Sequence, residues 1–376
     1  MKFRVERDAL ADAVAWTAKS LPSRPPVPVL AGVLLRVVES RLTVSGFDYE
    51  VSSQVGLDVQ ADADGAALVC GRLLAEITRA LPAKPVDFAA IGSHVELTCG
   101  SARFTLPTMP VEDYPTLPDM PATAGTVEAA VFAAAVAQVA IAAGREDALP
   151  FLTGVRLELE GKTLTMLATD RYRLAIREME WHPDEPDANM QALVPARTLA
   201  DSAKTLGTLG GHVTVALSRG GTGEGMIGFA GGDRRTTSRL LDGDFPKVRS
   251  IIPDSYSAEA RVPVSALTEV VKRVALVADR TSPVRLTFGE GELVIEAGST
   301  EDARASEAMD CQYGGEGLTV AFNPQYLLDG LAALDGPTAV ISLTDPKKPA
   351  VLTAATDDGQ PASAYRYVIM PIRLGS

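Results

Sequence analysis

The sequence restates one plan three times. Residues 1–21 (MKFRVERDALADAVAWTAKSL), 125–144 (GTVEAAVFAAAVAQVAIAAG) and 260–280 (ARVPVSALTEVVKRVALVADR) each read as a short alternating strand that runs into a helix with apolar residues three and four apart. In the third copy Leu267, Val270, Val271, Val274 and Val277 form that stripe. A β-rich block follows in each: RLTVSGFDYEVSSQV from 41, TLTMLATDRYRLAIREM from 163 and ELVIEAGSTEDARASEAM from 292, with Asp48 and Asp170 at matching places. A second helix opens at VCGRLLAEITRAL (69), VPARTLADSAKTL (194) and FNPQYLLDGLAAL (322), where Arg72, Arg197 and Gln325 correspond. The first two copies then turn a common corner, Asp113-Tyr114-Pro115 and Asp244-Phe245-Pro246, 131 residues apart.

A period of roughly 120 to 130 residues is far longer than a solenoid unit of 20 to 50. The repeats are therefore whole domains, expected at residues 1–121, 125–250 and 255–376, each α+β with two helices packed on β-sheets. Clusters of Pro, Gly, Ser and Ala place linkers at Met120–Gly125 and Pro253–Ala260.

The familiar signatures of catalysis are missing. His94, His182 and His212 lie apart, without the spacing of metal ligands, and Cys70, Cys99 and Cys311 form no CxxC pair. No metal or other cofactor is expected. EGKT at 160–163 lacks the earlier Gly of a phosphate loop and reads as a hairpin turn. RGGTGEGMIGFAGG at 219–232 contains a GxGxxG match, but DRRTTSR follows where a helix should open, so it reads as a flexible hairpin loop. With 48 acidic and 35 basic residues the net charge is -13, which argues against an ordinary DNA-binding domain, and 5% aromatic residues are too few for base-stacking platforms. The charged start MKFRVERD has no apolar signal core, and the apolar run Ala129–Ala143 is too short to span a bilayer. We expect a buried helix there, no membrane association and a cytoplasmic protein.

Several stretches carry a family resemblance: MKFRVERDAL at the start, SRPPVPVL at 23–30, ATDRYRLA at 168–175, DGDFPKVRSIIP at 242–253 and MPIRL at 370–374. Over essentially its whole length the chain resembles the bacterial DNA polymerase III β subunit, the sliding-clamp family. The resemblance implies a head-to-tail homodimer, a ring of six similar domains with helices around a central hole. Twelve helices at ~10 Å each would set their axes on a circle ~38 Å across and leave a hole of roughly 28 Å, enough for B-form DNA. The second helices are locally basic: Arg72, Arg79 and Lys84 against Glu76, then Arg197 and Lys204 against Asp201. The start of the third copy adds Lys272, Arg273 and Arg280 against Glu269 and Asp279. Such a bore would hold duplex DNA weakly, through phosphates and without sequence preference, so that topology rather than affinity retains it.

By resemblance, the DNA-facing positions are Arg24, Arg72, Arg145, Glu146, Pro150, Phe151 and Arg197. The chain departs from a common family pattern that has a Gln and two Tyr at the places of Glu146, Pro150 and Phe151. The resemblance also implies a hydrophobic cleft of Thr169, Tyr172, Arg173, Leu174, Pro246, Ile251, Val368, Met370, Pro371 and Ile372. It would take a Gln-Leu-Phe-type peptide carried by the replicative polymerase α subunit, the clamp loader, repair polymerases, and mismatch-repair or ligase proteins. The dimer contact would join an edge strand around Phe104 and Leu106 to the partner's helix end bearing Leu276 and Val277.

Within LATDRYRLAI the residues alone place Thr169, Arg171 and Arg173 on one strand face unless a turn intervenes, and Asp170-Arg171 reads as that turn. The leading expectation is a non-catalytic processivity factor. The alternatives are a duplicated clamp that confers resistance to clamp-binding inhibitors, and an enzyme with a site between repeats.

Overall fold

A computed structural model describes residues 1–146, 148–218, 225–278, 282–298, 303–356, 360–362 and 364–373. The chain packs as two compact units, Met1–Ala129 with Thr205–Leu240, and Ala130–Lys204 with Leu241–Ser376. Its α-helices among these residues are α1 (Arg7–Thr17), α2 (Gly71–Ala80), α3 (Ala129–Ala140), α4 (Ala196–Gly207), α5 (Val264–Val274) and α6 (Pro324–Ala332). They are the two helices expected of each repeat.

In the first unit, α1 buries Leu10, Ala13, Val14 and Trp16 while α2 buries Leu74 and Ile77, and both faces join one apolar core with the strands beneath. The sheet is antiparallel. From Thr123–Glu128 it passes through His212–Leu217, Met226–Gly231 and Arg234–Arg239 into Val51–Asp58, Arg41–Phe47, Gly32–Val38 and Gly65–Cys70.

In the second unit, α5 buries Leu267, Val270, Val271 and Val274 against α6, which buries Leu327 and Leu331. Val277 falls outside α5, in a short 3-10 turn, and is only half-buried. Two further antiparallel sheets complete this unit. The start of α6 is set by sequence: Pro324 occupies the first turn, and the Asn323 side chain accepts hydrogen bonds from the Gln325 and Tyr326 amides. Gly330 lets α6 lie directly on the strand Tyr365–Ile369, because a Cβ there would stand 2.5 Å from the Tyr367 ring.

The linker and buried-helix expectations need correction. Thr123–Gly125 and Ala258–Ala260 are strand residues rather than linker, because their backbones pair with 212–217 and 338–343. The Ala-rich helix α3 is buried on one face only: Phe132, Ala135, Val136 and Val139 are covered, whereas Val131, Ala134 and Ala137 are exposed. Small side chains give high hydropathy without demanding burial all round. EGKT does form a hairpin turn, with Gly161 at φ +53° between paired Glu160 and Thr163. The loop 219–224 lies outside the described residues; its flanking strands pair with each other.

Successive repeats join by one repeated strand pairing. Val51–Asp58 of the first copy pairs with Arg234–Arg239, the closing strand of the second, and Val55 stands opposite Arg234. Arg173–Glu180 of the second copy pairs with Tyr365–Ile369, the closing strand of the third, and Arg177 stands opposite Tyr365. Asp48 and Asp170 each stand three residues before the first strand of the pair, so Val55 and Arg177 are equivalent and the register is the same. The remaining members of this set are Arg304–Asp310 and Ala102–Met109. Among the described residues the first pairs only with Glu292–Gly298. The second pairs along His94–Cys99 and meets a further strand only at Thr108 and Met109.

Candidate partner-binding cleft

The strands Thr163–Thr169 and Arg173–Glu180 are joined by a tight turn, so Asp170 to Tyr172 leave the strand alternation. One Asp170 oxygen accepts hydrogen bonds from the Tyr172 and Arg173 amides, both at 3.0 Å. Arg171 sits at φ +80°, a conformation that a branched or long side chain adopts only under local restraint. The Asp48 side chain makes the same turn in the first repeat, where Tyr49 is at φ +77°. Thr169 is buried, and its hydroxyl donates to the Arg173 carbonyl at 2.7 Å.

The turn is tied to the C-terminal segment: the Met370 amide donates to the Tyr172 carbonyl at 2.9 Å, and the Ile372 amide to the Ala321 carbonyl at 2.8 Å. Beneath these ties Leu167, Leu174, Ile176, Leu193, Phe245, Val248, Val351 and Val368 form one apolar cluster, against which Phe151, Leu241, Ile251 and Ile252 pack half-buried. Met370, Pro371 and Ile372 are half-buried as well, and Tyr172 is 53% exposed. A cavity of about 350 Å³ adjoins the turn, lined among others by Leu149, Arg171, Tyr172 and Tyr326.

Arg173 lies 6% exposed under the turn. Its Nε donates to Asp170 at 2.9 Å, its Nη1 donates to Asp329 at 2.5 Å and to the Tyr367 hydroxyl at 3.4 Å, and its guanidinium covers the Tyr326 ring at 4.5 Å. Burial works against this charge, but Tyr367, Asp329 and Asp170 outweigh it and raise the Arg173 pKa above its ordinary value. Burial pushes the Tyr367 hydroxyl up, so it stays neutral and donates to the Tyr326 carbonyl at 2.9 Å.

Comparison with known proteins decides the family. The family models of the DNA polymerase III beta subunit match in order: the N-terminal domain at residues 1–118, the central domain at 126–247 and the C-terminal domain at 249–373. The chain belongs to the DNA polymerase III β subunit family. A β sliding clamp of Streptomyces coelicolor is 54% identical over 375 residues, covering 100% of both chains. A β sliding clamp homolog, GriR, of Streptomyces muensis is 43% identical and covers 99% of both. A sliding clamp structure from Pseudomonas aeruginosa, bound to griselimycin, superposes with a TM-score of 0.91 at 29% identity over 100% of both chains.

As in that family, three clamp domains follow in tandem, and the chain is a sliding clamp of DNA replication. Of the expected cleft residues, the structure brings Leu174, Ile251 and Val368 into one cluster and ties Tyr172 to Met370. Several of them lie inside. Leu174 and Val368 are wholly buried strand partners, and Thr169 and Arg173 are also interior, so none of the four offers an open wall. Pro246 is exposed, while its neighbours Phe245 and Val248 point inward. Asp329, Tyr326 and Tyr367 line or support the cleft and were missed by sequence reasoning; the Asn-Pro helix start is a signal for Tyr326 and Asp329 on α6, and Tyr367, on the strand Tyr365–Ile369, has none.

Of the positions expected on DNA, Arg24, Arg72, Arg145, Glu146, Pro150 and Arg197 are exposed, and Arg72 donates to the Pro22 carbonyl at 3.2 Å. Phe151 is half-buried against the apolar cluster, and Glu146 approaches Arg171 at 3.8 Å. At the expected dimer contact Phe104 is exposed and Leu276 is 84% exposed, whereas Leu106, two residues on along the same strand face as Phe104, is buried in the first unit's core. Arg280 lies outside the described residues.

Proposed function

We propose that this clamp encircles duplex DNA as a head-to-tail homodimer and tethers replication and repair proteins to it, without catalysis of its own and in the cytoplasm. Its domains run 1–121, 125–250 and 255–376. The observation that carries this reading is the strand pairing used twice within the chain and left open at both ends.

A second copy supplies the missing partner for each open strand, and two copies close the set without a free edge. Carrying the register of the first junction over to the third sets Glu307 opposite Ala102 of the second copy, Ala305 opposite Phe104 and Arg304 opposite Thr105. Leu276 and Val277, beside Arg304–Asp310, then cover Phe104.

The exposed arginines Arg24, Arg72, Arg145 and Arg197 contact the duplex through its phosphates, weakly and without sequence preference, and Glu146, Pro150 and Phe151 lie beside them on the DNA-facing side. The half-buried wall of Ile251, Met370, Pro371 and Ile372, with Tyr172 at its rim, receives a short Gln-Leu-Phe-type peptide of the polymerase α subunit, the clamp loader and repair proteins. Thr169, Arg173, Leu174, Pro246 and Val368 support or flank it. Met370 adapts to several sequences because its side chain is flexible and polarizable. The higher identity to the S. coelicolor clamp than to GriR favours this replicative role over that of a duplicated resistance copy.

The test is retention on DNA. Labelled protein is loaded onto nicked circular plasmid with the cognate clamp loader and ATP, the plasmid is cut once, and release is followed by gel filtration. Loss after cutting is the expected result. Equal retention on circle and linear DNA would mean direct affinity and would overturn the encircling model.

A further inference from the structure

We propose that Arg173 is a positioning residue for the cleft: it locks the Asp170–Tyr172 turn and the Tyr326 ring of α6 into one rim, and does not itself touch a partner. This rests on the reading of the cleft as a peptide site.

Two of the three guanidinium nitrogens are engaged inside the protein. Asp170 and Asp329 take Nε and Nη1, Tyr367 takes a further contact from Nη1, and the Tyr326 ring covers one face. At 6% exposure little of it is left for a ligand. What it holds, by contrast, is exposed.

The Asp170 carboxylate is the hinge of the device. One oxygen shapes the turn by accepting from the Tyr172 and Arg173 amides, while the other is fixed by Arg173 Nε. Holding this carboxylate keeps Arg171 in its left-handed conformation and orients the Tyr172 carbonyl toward the Met370 amide. Both walls of the cleft thus depend on the same ion pair. On the other side Asp329 is held by Arg173 and by Gln325 Nε2 at 2.7 Å. Tyr326 is thereby placed where Tyr172 stacks on it, ring centroids 6.4 Å apart and 25° from parallel.

Attachment of α6 to the sheet does not need this arrangement, because Gly330 already packs on Tyr367 and Leu327 and Leu331 are buried. The Arg173 cluster is therefore a local device of the rim. A preformed rim spares a peptide the cost of ordering it.

The experiment uses the full-length protein and a fluorescein-labelled peptide, Gln-Leu-Ala-Leu-Phe. Arg173→Lys keeps the charge but cannot reach both carboxylates and stack; Asp329→Asn keeps shape and an acceptor, and guards against misfolding of the first variant. Peptide affinity is measured by anisotropy, amide exchange by mass spectrometry and stability by urea unfolding. Both variants should weaken the peptide about tenfold, through faster dissociation. Exchange should quicken at Tyr172, Arg173 and Met370 but not through the rest of the unit, and Asp329→Glu should restore binding. Wild-type affinity in both variants, or exchange raised evenly across the unit, would overturn the proposal alone. Failure of the wild-type protein to bind the peptide would overturn the cleft reading and this proposal with it.

Discussion

The two strand pairings that join the repeats share one register and differ in what lines them. Across the first, Ser52, Ser53, Thr236, Thr237 and Ser238 are buried, and the Ser52 and Thr237 hydroxyls meet at 2.6 Å. Around it Arg41 pairs with Asp58 at 2.7 Å and with Asp233, and Arg239 donates to the Tyr49 carbonyl at 3.2 Å. Across the second, Leu174 and Ala175 face Val368 and Tyr367 and Arg173 faces Ile369, all buried, while Ile176 is buried opposite the half-buried Arg366. Hydroxyls satisfy one another in place, whereas an apolar pairing needs a cover. That cover is the corner with Phe245 and Val248, and its edge leaves Ile251, Ile252 and Phe151 half-buried. The polar joint is finished on its own. The apolar joint leaves apolar surface half-covered.

The proposed third junction, between copies, breaks or completes this comparison most sharply. Leu276→Lys puts a charge where the partner's Phe104 should pack, and should convert the dimer fully to monomer in sedimentation velocity at micromolar concentration. An intact dimer would show that the pairing is not used a third time. Next in size, Leu174→Ala at the apolar joint should cost about 2 to 5 kcal/mol in urea unfolding, because it removes transfer energy and leaves a cavity.

The polar joint should respond differently. Thr237→Val strands the buried Ser52 hydroxyl and should cost about 1 to 3 kcal/mol, while the double variant with Ser52→Ala should recover most of that loss. A double variant as destabilised as the sum of its parts would mean that the hydroxyl pair is not what holds this joint.

Much of this was legible in the sequence, for reasons that differ residue by residue. The repeats were readable because strand, helix and corner each keep a local pattern, and the Asp170 turn because a carboxylate beside free amides favours it. The depth of Leu174, Val368 and Leu106 was not, since alternation says which face a side chain takes but not what lies over it. The Arg173 cluster was hidden by distance: its partners Asp329 and Tyr367 stand 156 and 194 residues away in sequence. Pro, Gly, Ser and Ala at 120–125 and 253–260 read as linkers, although pairing with distant strands makes part of each segment β structure.

The smallest effect tests the apolar joint through pH. Tyr365 and Tyr367 both lie on its closing strand, and burial raises each hydroxyl above the ordinary value of 10.0. Below that pH the tyrosines are protonated in folded and unfolded chain alike, so stability is unaffected by them. Above it the unfolded chain releases these protons and the folded chain retains them, so stability falls as pH rises, by at most about 1.4 kcal/mol per pH unit for each tyrosine. The Tyr365 hydroxyl donates to the Gln138 carbonyl at 3.1 Å, so Tyr365→Phe should lower stability at neutral pH. It should nevertheless flatten the alkaline slope of the urea midpoint by one tyrosine's share. A slope unchanged in that variant would place the alkaline loss elsewhere, with the buried Tyr114 of the first unit, also raised by desolvation, as the next residue to replace.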